Sequence, residues 1–313
     1  MPSFAVAIVN YNTREHLAAC LATVQVEVPI EVVVVDNASS DGSAEMVRTR
    51  YPWVTLYANK TNPGYGAAAN QAIASCTAEY VLLLNSDTRV HAGALRALST
   101  YLDRYPRAAI VGPRIVNPDG TLQASCYPFL SPLNTLLVET SLGNLVCRVP
   151  ILRNYYLRAW AHTDPRVVPW VLGAALAIRR EAFEAVSGFD EAFFMYYEEA
   201  DLCYRLGAID WQIHFAPVAT IVHVGGASTT RYRTAMAVQH FASAMQFYQR
   251  HYSGRRLAEL VMIWKAIMLT RWILDTTRLY LTQDVCKRAT IAADVAAWQQ
   301  ILLGHWRKRV AHG

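Results

Sequence analysis

Short apolar runs that each end in polar residues constrain the fold of this chain more than any other feature. The clearest is EVVVVDN at residues 31–37, in which four consecutive valines lead into Asp36. Such a run is too short for a helix and is β-branched, so it predicts a strand buried on both faces. The first half of the chain repeats this pattern, with runs at Phe4–Val9, Ile30–Val35, Tyr80–Leu84 and Ala108–Val111.

Segments with helical character lie between these runs, at Arg14–Val24, Ser43–Arg50 and Ala92–Tyr105. The alternation predicts an α/β fold, with a mostly parallel central sheet and helices on both faces. The composition supports a large core, because 53% of the 313 residues are hydrophobic and only 17% are charged. These values exclude a disordered tail protein.

Polar residues follow three of the predicted strands directly. The clusters are NYN at 10–12, DN at 36–37 and NSD at 85–87. The carboxyl ends of parallel strands lie along one edge of the sheet, and ligands of open α/β sheets bind at that edge. Any one cluster alone is better explained as a plain turn, but three in register favour a binding site.

A glycine-containing loop precedes the third predicted strand. NPGYGAAAN at residues 62–70 places Gly64 and Gly66 before a helix-like segment, where backbone could approach a phosphate. The pattern imitates G-x-G-x-x-A, and Asp87 follows about 20 residues later, as in a dinucleotide fingerprint. A NAD(P)-dependent oxidoreductase is therefore one alternative. The loop follows YANKTNP rather than a strong first strand, which counts against it.

Two neighbouring glutamates stand out in FFMYYEEADLCYRL, residues 193–206. Glu198 and Glu199 follow five apolar or aromatic residues and begin a predicted helix, a setting that suits a general base. Asp201 has a structural explanation, since it can pair with Arg205 one helical turn away.

His223 ends another apolar run, TIVHV. A lone histidine after a strand is more often structural than functional. Together with Asp87, however, its imidazole could bind one divalent cation that keeps open positions for phosphate oxygens.

Several classes of protein are excluded or disfavoured. The chain has no nucleophile elbow, no HExxH and no Walker lysine motif, and its net charge of +5 comes without a dense basic block, so no nucleic-acid partner is expected. Six scattered cysteines without a CxxC pair predict reduced thiols in a cytoplasmic protein. The N-terminus does not resemble a signal peptide, and charges interrupt the most apolar region, Leu257–Leu281.

The last quarter of the chain, beyond Arg231, is predicted to be helical, with one break at Gly254. Tryptophans mixed with basic residues suit helices lying at the inner face of the cell membrane, a peripheral contact. Packing against the catalytic domain or against a second subunit, as in a homodimer, is an equal alternative. Residues 128–169 read as an irregular insertion with prolines, aromatics and four arginines: Arg148, Arg153, Arg158 and Arg166.

The ordered segments AIVNYN, VVVVDNASSDGS, NPGYGAAANQ, LLLNSDT, WVLGAALAIRREAFEAVSGFDEAFFMYYEEADLCYRL and VHVGGAS together resemble a known family. Over roughly residues 3–252 the chain is similar to the inverting family 2 glycosyltransferases with the GT-A fold, in the manner of bacterial rhamnosyltransferases of polysaccharide assembly. The resemblance implies a catalytic domain at 1–230 and a helical region at 231–313. The domain would comprise a nucleotide-binding half at 1–112, the insertion at 128–169 and an acceptor half at 170–230.

The resemblance also implies an activity. A sugar, with rhamnose as the best guess, would pass with inversion from a dTDP- or UDP-linked donor to a hydroxyl of a glycan or lipid-linked acceptor. Mg²⁺ or Mn²⁺ would assist, bound by Asp87 and His223. Glu199 would be the base, with Glu198 as the alternative. The nucleotide would contact Asn10, Tyr11, Asp36, Asn62, Gly64, Asn70 and Ser86. The acceptor side would be lined by Trp170, Gly173 and Ala174.

The chain departs from the family pattern at two positions. Asn85 replaces the first acid of the DxD motif, which removes one negative charge from the metal site. Glu199 replaces the usual aspartate and is longer by one methylene, so the choice of base between Glu198 and Glu199 stays open. A catalytically inactive sugar-nucleotide-binding protein is a further alternative, and Asn85 alone supports it.

Overall fold

The computed structural model describes residues 4–27, 31–129, 131–140, 160–227 and 232–306. These residues fall into two compact units. The first unit contains the described residues of 4–128, 160–191 and 198–227. The second contains those of 129–140, 192–197 and 232–306.

The strands are, in chain order, β1 Phe4–Asn10, β2 Glu31–Asp36, β3 Thr55–Ala58, β4 Tyr80–Asn85, β5 Thr88–Val90, β6 Ala108–Val116, β7 Cys126–Tyr127, β8 Arg166–Val167, β9 Trp170–Val171, β10 Ala175–Arg179 and β11 Gln212–His223. The helices are α1 Arg14–Val26, α2 Ser43–Arg50, α3 Tyr65–Ala74, α4 Ala94–Arg104, α5 Pro132–Glu139, α6 Arg180–Ala185, α7 Glu198–Ala208, α8 Arg233–His251, α9 Gly254–Leu281 and α10 Val285–Leu302.

The first unit is built on a mixed sheet with strand order β3-β2-β1-β4-β10-β6-β11-β5, and β8 also pairs with β11. Strands β1 to β4 are mutually parallel, and β6 and β11 run in the same direction as they do. Strands β5, β8 and β10 are antiparallel to their neighbours. The predicted α/β class and mostly parallel sheet are thus confirmed.

The core explains why the apolar runs become strands. Every residue of β1 is buried, so both faces of that strand are covered. In the sheet, Ala7 lies between Val33 of β2 and Leu83 of β4. On the other face of β1, Val6 and Ile8 form a core cluster with Leu17 and Leu21 of α1. Full burial of an aliphatic side chain of this size contributes about 1.5–3 kcal/mol.

Two element bounds differ from the predicted ones for identifiable reasons. Helix α4 begins at Ala94 rather than Ala92, because Gly93 precedes it with a φ of 83°. Strand β6 continues to Val116, past Gly112 and Pro113. Its pairing with β11 shifts register at this point, so the ladder does not need the N–H that proline lacks.

Beyond residue 231 the second unit is helical in nearly all of the residues described, as expected. Helix α9 runs unbroken for 28 residues despite its charges, because several of these are paired: Arg271 with Glu139 of α5, and Arg278 with Asp275. A second break, which the sequence analysis did not predict, separates α9 from α10. There the side chain of Asp284 caps α10 by accepting from the backbone N–H groups of Cys286 and Lys287.

Some predicted features fall outside the described residues, namely Arg148, Arg153, Arg158 and Cys147; Arg166 lies in β8. The other five cysteines are free thiols, and only Cys286 is exposed. Of the helices that the structure describes, none combines the length and the apolar composition needed to cross a bilayer.

Candidate active site

A hydrogen-bonded network joins the carboxyl ends of β1, β2 and β4. Asn10 Nδ2 donates to Asp36 Oδ2 at 2.7 Å, and the other oxygen, Oδ1, accepts from the backbone N–H of Ser39 at 2.9 Å. Thr13 Oγ1 donates to Asn10 Oδ1 and also lies 2.7 Å from Ser86 Oγ. The structure therefore brings together three clusters that are far apart in sequence, and Tyr11 lies beside them, half-buried.

Asp87 and His223 meet at the same edge because Thr88 of β5 pairs with His223 of β11. His223 Nε2 lies 3.3 Å from Asp87 Oδ1, while Asp87 Oδ2 accepts from the backbone N–H of Gly225 at 3.1 Å. Burial alone would raise the pKa of Asp87, but the hydrogen bond and charge of His223 hold it below its ordinary value. Asp87 is thus stabilised as a carboxylate.

The second ring nitrogen of His223 is also engaged. Nδ1 lies 2.7 Å from Gln123 Oε1 and can donate its hydrogen to that oxygen, so a cation that replaced the Nε2 proton facing Asp87 would meet the Nε2 lone pair. A ring nitrogen fixed in this way is the usual arrangement of a metal-binding histidine. One carboxylate oxygen and one imidazole nitrogen fit a divalent cation that completes its shell with phosphate oxygens and water. Among the residues described, no cluster of three or more acidic, histidine or cysteine side chains occurs.

The glycine loop is tied to the end of β2. Asn37 Nδ2 donates to Asn62 Oδ1 at 3.3 Å and to the carbonyl of Gly64 at 3.1 Å, and Asn62 Oδ1 also accepts from the N–H of Gly64. Gly64 has a φ of 99°, which a residue with a side chain rarely adopts. It directly precedes α3, whose first turn has no side-chain cap.

Helix α3 packs closely on the segment before α7. A Cβ on Gly66 would lie 3.3 Å from Phe189 Cβ, so a larger residue would push the two apart. Asn70 donates to the carbonyl of Phe189 at 2.9 Å and accepts from its N–H at 2.8 Å. Asn70 therefore holds this segment against α3, and its predicted nucleotide contact stays a prediction.

Residues 173 and 174 bridge three elements. The N–H of Asn85 donates to the carbonyl of Ala174, and the hydroxyl of Tyr65 donates to the carbonyl of Gly173 at 3.1 Å. The N–H of Gly173 in turn donates to Glu199 Oε1 at 3.4 Å. Nearby in the chain, Trp170 stacks on Tyr127 with ring centroids 4.5 Å apart.

Glu198 and Glu199 are both buried, with 5% and 9% of their surfaces exposed. The Oε2 atom of each has no hydrogen-bond partner among the described residues. Burial, and then the charge of Glu199, raises the pKa of Glu198 well above its ordinary value. Burial also raises the pKa of Glu199, although backbone N–H groups, including that of Gly173, oppose the change. Unpaired buried carboxyls are costly, so their retention points to function.

The predicted site residues thus lie along one connected edge of the first unit. Tyr65 illustrates this, because the charges of Glu198, Glu199 and Asp87 all act on its hydroxyl and, after burial, raise its pKa. The sequence analysis missed four residues of the network: Thr13, Ser39, Tyr65 and Gln123. Ser39 lies within the quoted motif VVVVDNASSDGS and Thr13 directly follows AIVNYN, so in both cases a polar side chain at a strand end was the available signal. Gln123 is 100 residues from His223 and has no local signal.

Comparison with known proteins identifies the family. The glycosyl transferase family 2 profile matches residues 5–186. Over 265 residues the chain is 33% identical to the N-acetylglucosaminyl-diphospho-decaprenol L-rhamnosyltransferase of Mycobacterium tuberculosis strain H37Rv, covering 80% of this chain and 85% of that protein. It is 25% identical over 245 residues to a low-salt glycan biosynthesis hexosyltransferase of Haloferax volcanii, covering 76% of this chain and 72% of the relative.

Solved structures share the fold. The mannosyltransferase PcManGT of Pyrobaculum calidifontis, in complex with GDP-Man and Mn²⁺, superposes with a TM-score of 0.55 at 18% identity, covering 97% of this chain and 88% of that one. GalNAc-T7 with UDP, GalNAc and Mn²⁺ gives a TM-score of 0.54 at 15% identity, covering 78% of this chain and 48% of that one. The oxidoreductase alternative finds no support in these comparisons. The chain belongs to glycosyl transferase family 2 and is a glycosyltransferase with the GT-A fold.

Proposed function

We propose that the protein transfers rhamnose, with inversion, from a dTDP- or UDP-linked donor to a hydroxyl of a glycan or lipid-linked acceptor. One observation carries the proposal: Glu198 and Glu199 are buried, the Oε2 atom of each lacks a partner among the described residues, and Glu199 is linked through Gly173 and Ala174 to the end of the strand that leads to Asp87. The sugar and the acceptor class are supported by the mycobacterial relative, whose name specifies both.

The nucleotide is proposed to bind along the joined ends of β1 and β2. Asp36 is held as a hydrogen-bond acceptor by Asn10 and Ser39, and it could accept from the N–H of a pyrimidine base. Tyr11, Asn62, Gly64, Asn70 and Ser86 complete the proposed nucleotide side. The N-terminus of α3, which follows Gly64, favours a diphosphate through its backbone N–H groups.

Asp87 and His223 are proposed to hold Mg²⁺ or Mn²⁺. When bound, the cation would act as a Lewis acid for the charge that develops on the departing diphosphate. Asn85 leaves this site with one carboxylate fewer than the family pattern, and the His223 imidazole supplies a donor atom beside Asp87. The two solved relatives that share the fold both contain Mn²⁺ in their described complexes.

Glu199 is the better base of the two glutamates. The charge of Glu199 adds to burial in raising the pKa of Glu198, so Glu198 tends to keep its proton when Glu199 is ionised. Glu199 carries the charge more easily, because Gly173 and Ala200 N–H groups support its ionised form. Glu198 has no comparable support beyond its own backbone N–H, and its pKa is raised further by Glu199.

The transfer is a single displacement. The acceptor oxygen forms a bond to the anomeric carbon while the bond from that carbon to the phosphate oxygen breaks, and the electron pair leaves with the nucleoside diphosphate. The acceptor proton passes to Glu199. Because attack and departure occur on opposite sides of the carbon, the product has inverted configuration. Trp170, Gly173 and Ala174 line the proposed acceptor side.

The proposed assignment of domains follows the same roles. Residues 1–230 would form the catalytic domain, with 1–112 as its nucleotide-binding half, 128–169 as an insertion and 170–230 as its acceptor half. Residues 231–313 would form a helical region. A lipid-linked acceptor would place the protein in the cytoplasm at the inner face of the cell membrane.

Donor turnover by the purified chain tests the proposal. Release of nucleoside diphosphate is measured for dTDP- and UDP-linked sugars with Mg²⁺, with Mn²⁺ and with EDTA. We expect turnover of dTDP-rhamnose or a related donor, a loss with EDTA, and a fall of about 10²–10⁴-fold in kcat for Glu199→Gln while donor binding persists. Asp87→Asn should abolish metal-dependent donor binding.

Glu184→Gln serves as the matched control, because Glu184 is an exposed glutamate on α6 paired only at the surface with Arg180. It should leave turnover unchanged. Nucleotide binding without turnover of any donor would instead support the inactive binding protein. Activity of Glu199→Gln near wild type would assign the base elsewhere.

A further inference from the structure

Helix α9 of the second unit presents an apolar stripe to solvent. Met262, Leu269, Ile273 and Tyr280 are spaced by seven, four and seven residues, which places them on one face of a helix. Between 46% and 80% of each side chain is exposed. The opposite face is buried through Leu260, Trp264, Ile267 and Met268. The helix is thus apolar on both faces, and only one of them is covered among the described residues.

The stripe ends at an apolar tip, the turn between α9 and α10. Tyr280, Leu281 and Val285 are the three most exposed large apolar residues that the structure describes, each about four-fifths exposed. Three such side chains around one turn between helices are unusual for a surface facing only water.

Basic side chains surround the stripe and the tip. Arg255, Arg278 and Lys287 are mostly exposed, and Lys265 and Arg288 are exposed as well. Three of these cations are offset by acids, because Arg255 pairs with Glu259, Arg278 with Asp275 and Lys287 with Asp284. Of the cations named, Lys265 and Arg288 therefore supply the net positive charge. The surface therefore combines exposed apolar groups with a positive rim.

The shape of this surface favours a bilayer over a second copy of the chain. A helix of 28 residues is about 42 Å long, and the stripe follows it as a narrow band rather than a compact patch. Two copies meeting face to face would bring the basic rims together. Anionic lipid headgroups complement such a rim, and the apolar side chains can enter the headgroup and acyl boundary.

We propose that the outward face of α9 and the tip at 280–285 form a docking surface for an anionic membrane. The helix lies on the bilayer, with Leu281 and Val285 inserted and Lys265 and Arg288 facing the headgroups. The inference deepens the proposed function and rests on it only for the lipid-linked acceptor, which such docking would bring within reach.

Vesicle flotation of the full-length protein tests the surface. The probes are vesicles of phosphatidylcholine alone and vesicles that also contain phosphatidylglycerol. Wild type should float with the anionic vesicles and much less with the neutral ones. The double variant Leu281→Ser with Val285→Ser, and separately Lys265→Glu with Arg288→Glu, should each lower the bound fraction about tenfold.

Matched controls change the same residue types on the first unit. Ile209→Ser with Val218→Ser removes two exposed apolar groups, and Arg50→Glu with Arg96→Glu reverses two exposed charges. Both should float like wild type. Equal losses of the vesicle-bound fraction in the control and test variants would overturn the proposed docking surface. Wild-type protein that does not float with anionic vesicles would overturn it as well.

Two further readouts separate the remaining outcomes. If the tip variant changes the molar mass measured by light scattering and not flotation, the surface joins copies of the chain and the membrane inference is overturned. Donor turnover without vesicles should be unchanged in all four variants, which also shows that they fold. Flotation without any donor turnover would contradict the proposed function and leave the docking surface standing.

Discussion

At the scale of single residues, the neighbouring glutamates of α7 have different surroundings and should behave differently. Glu199 accepts a hydrogen bond from Gly173, whereas Glu198 lies towards α3, near Gly66. The sequence showed the pair and its apolar neighbours but not this asymmetry, because the partners are 26 and 132 residues away. Which carboxyl acts as the base therefore depends on tertiary contacts.

The acid limb of the pH-rate profile should lie above the range of an ordinary glutamate. Burial raises the pKa of Glu199, and a base must be ionised, so activity is lost as the pH falls through that raised pKa. We expect the limb of kcat/KM for the donor to lie above pH 4.5. A rate that stays constant down to that pH would show that Glu199 is not the group that titrates.

Glu198→Gln should stabilise the protein at neutral pH, by at least about 1 kcal/mol. Because the folded-state pKa is raised, the contribution of Glu198 to stability is complete below pH 4.5 and is lost as the pH rises through the folded pKa. Glutamine does not titrate, so the gain should grow with pH and vanish in acid. Tm measured across this range checks it, with the exposed Glu184→Gln as control; a gain independent of pH would contradict the explanation.

Tyr65 is predicted to position Glu199 through Gly173. Removing its hydroxyl in Tyr65→Phe frees the Gly173 carbonyl and weakens the N–H bond to Glu199. We expect kcat to fall about tenfold, from roughly 1 kcal/mol of lost hydrogen bonding, with little change in the donor KM. The acid limb should also move to higher pH, which a purely structural role would not cause.

The control for this variant is Tyr57→Phe, since Tyr57 is an exposed tyrosine of β3. It should have wild-type kinetics. An unchanged pH profile in Tyr65→Phe would refute the proposed link to Glu199.

At the scale of elements, the contact of β6 with β9 should be sensitive to a single methyl group. A Cβ on Gly112 would lie 2.9–3.2 Å from three side-chain atoms of Val171, so Gly112→Ala must displace β9. Overpacking of this kind costs about 1–3 kcal/mol. Denaturant unfolding should show the loss, together with lower activity because β9 directly precedes Leu172 and Gly173.

Gly207→Ala is the matched control, because Gly207 lies in α7 and its Cβ would meet nothing within 4 Å. Here alanine should stabilise by about 0.5–1 kcal/mol. If Gly112→Ala and Gly207→Ala changed the free energy of unfolding in the same direction, packing at Gly112 would not be the cause of the change.

Elements with strong patterns were predictable, and weakly patterned ones were not. The valines of β2 and the apolar residues of β4 require buried strands, so both were located from the sequence. Strands β7, β8 and β9 have two residues each, too few to show any period, and they form only through partners distant in the chain. The break at 282–284 had a signal in Asp284, a favourable N-cap residue.

At the scale of the whole chain, the meeting of remote segments follows from one rule about parallel strands. Asp36 ends β2 and Ser86 follows β4, and these parallel strands flank β1 on either side, so the meeting of their ends could be predicted. The position of Glu199 could not be predicted in this way, because it depends on tertiary hydrogen bonds. The N–H of Gly173 donates to Glu199, and the carbonyl of the next residue, Ala174, accepts from the N–H of Asn85. The role of Glu199 as the base was predicted instead from the resemblance to family 2 enzymes.

The anomeric configuration of the first transferred sugar tests the central claim most directly. Proton NMR of the product formed from a defined nucleotide sugar reports it before any equilibration. One base beside one departing diphosphate predicts an anomeric centre inverted relative to the donor. A product that retains the donor configuration would require two displacements, and it would contradict the mechanism assigned to Glu199 and Asp87.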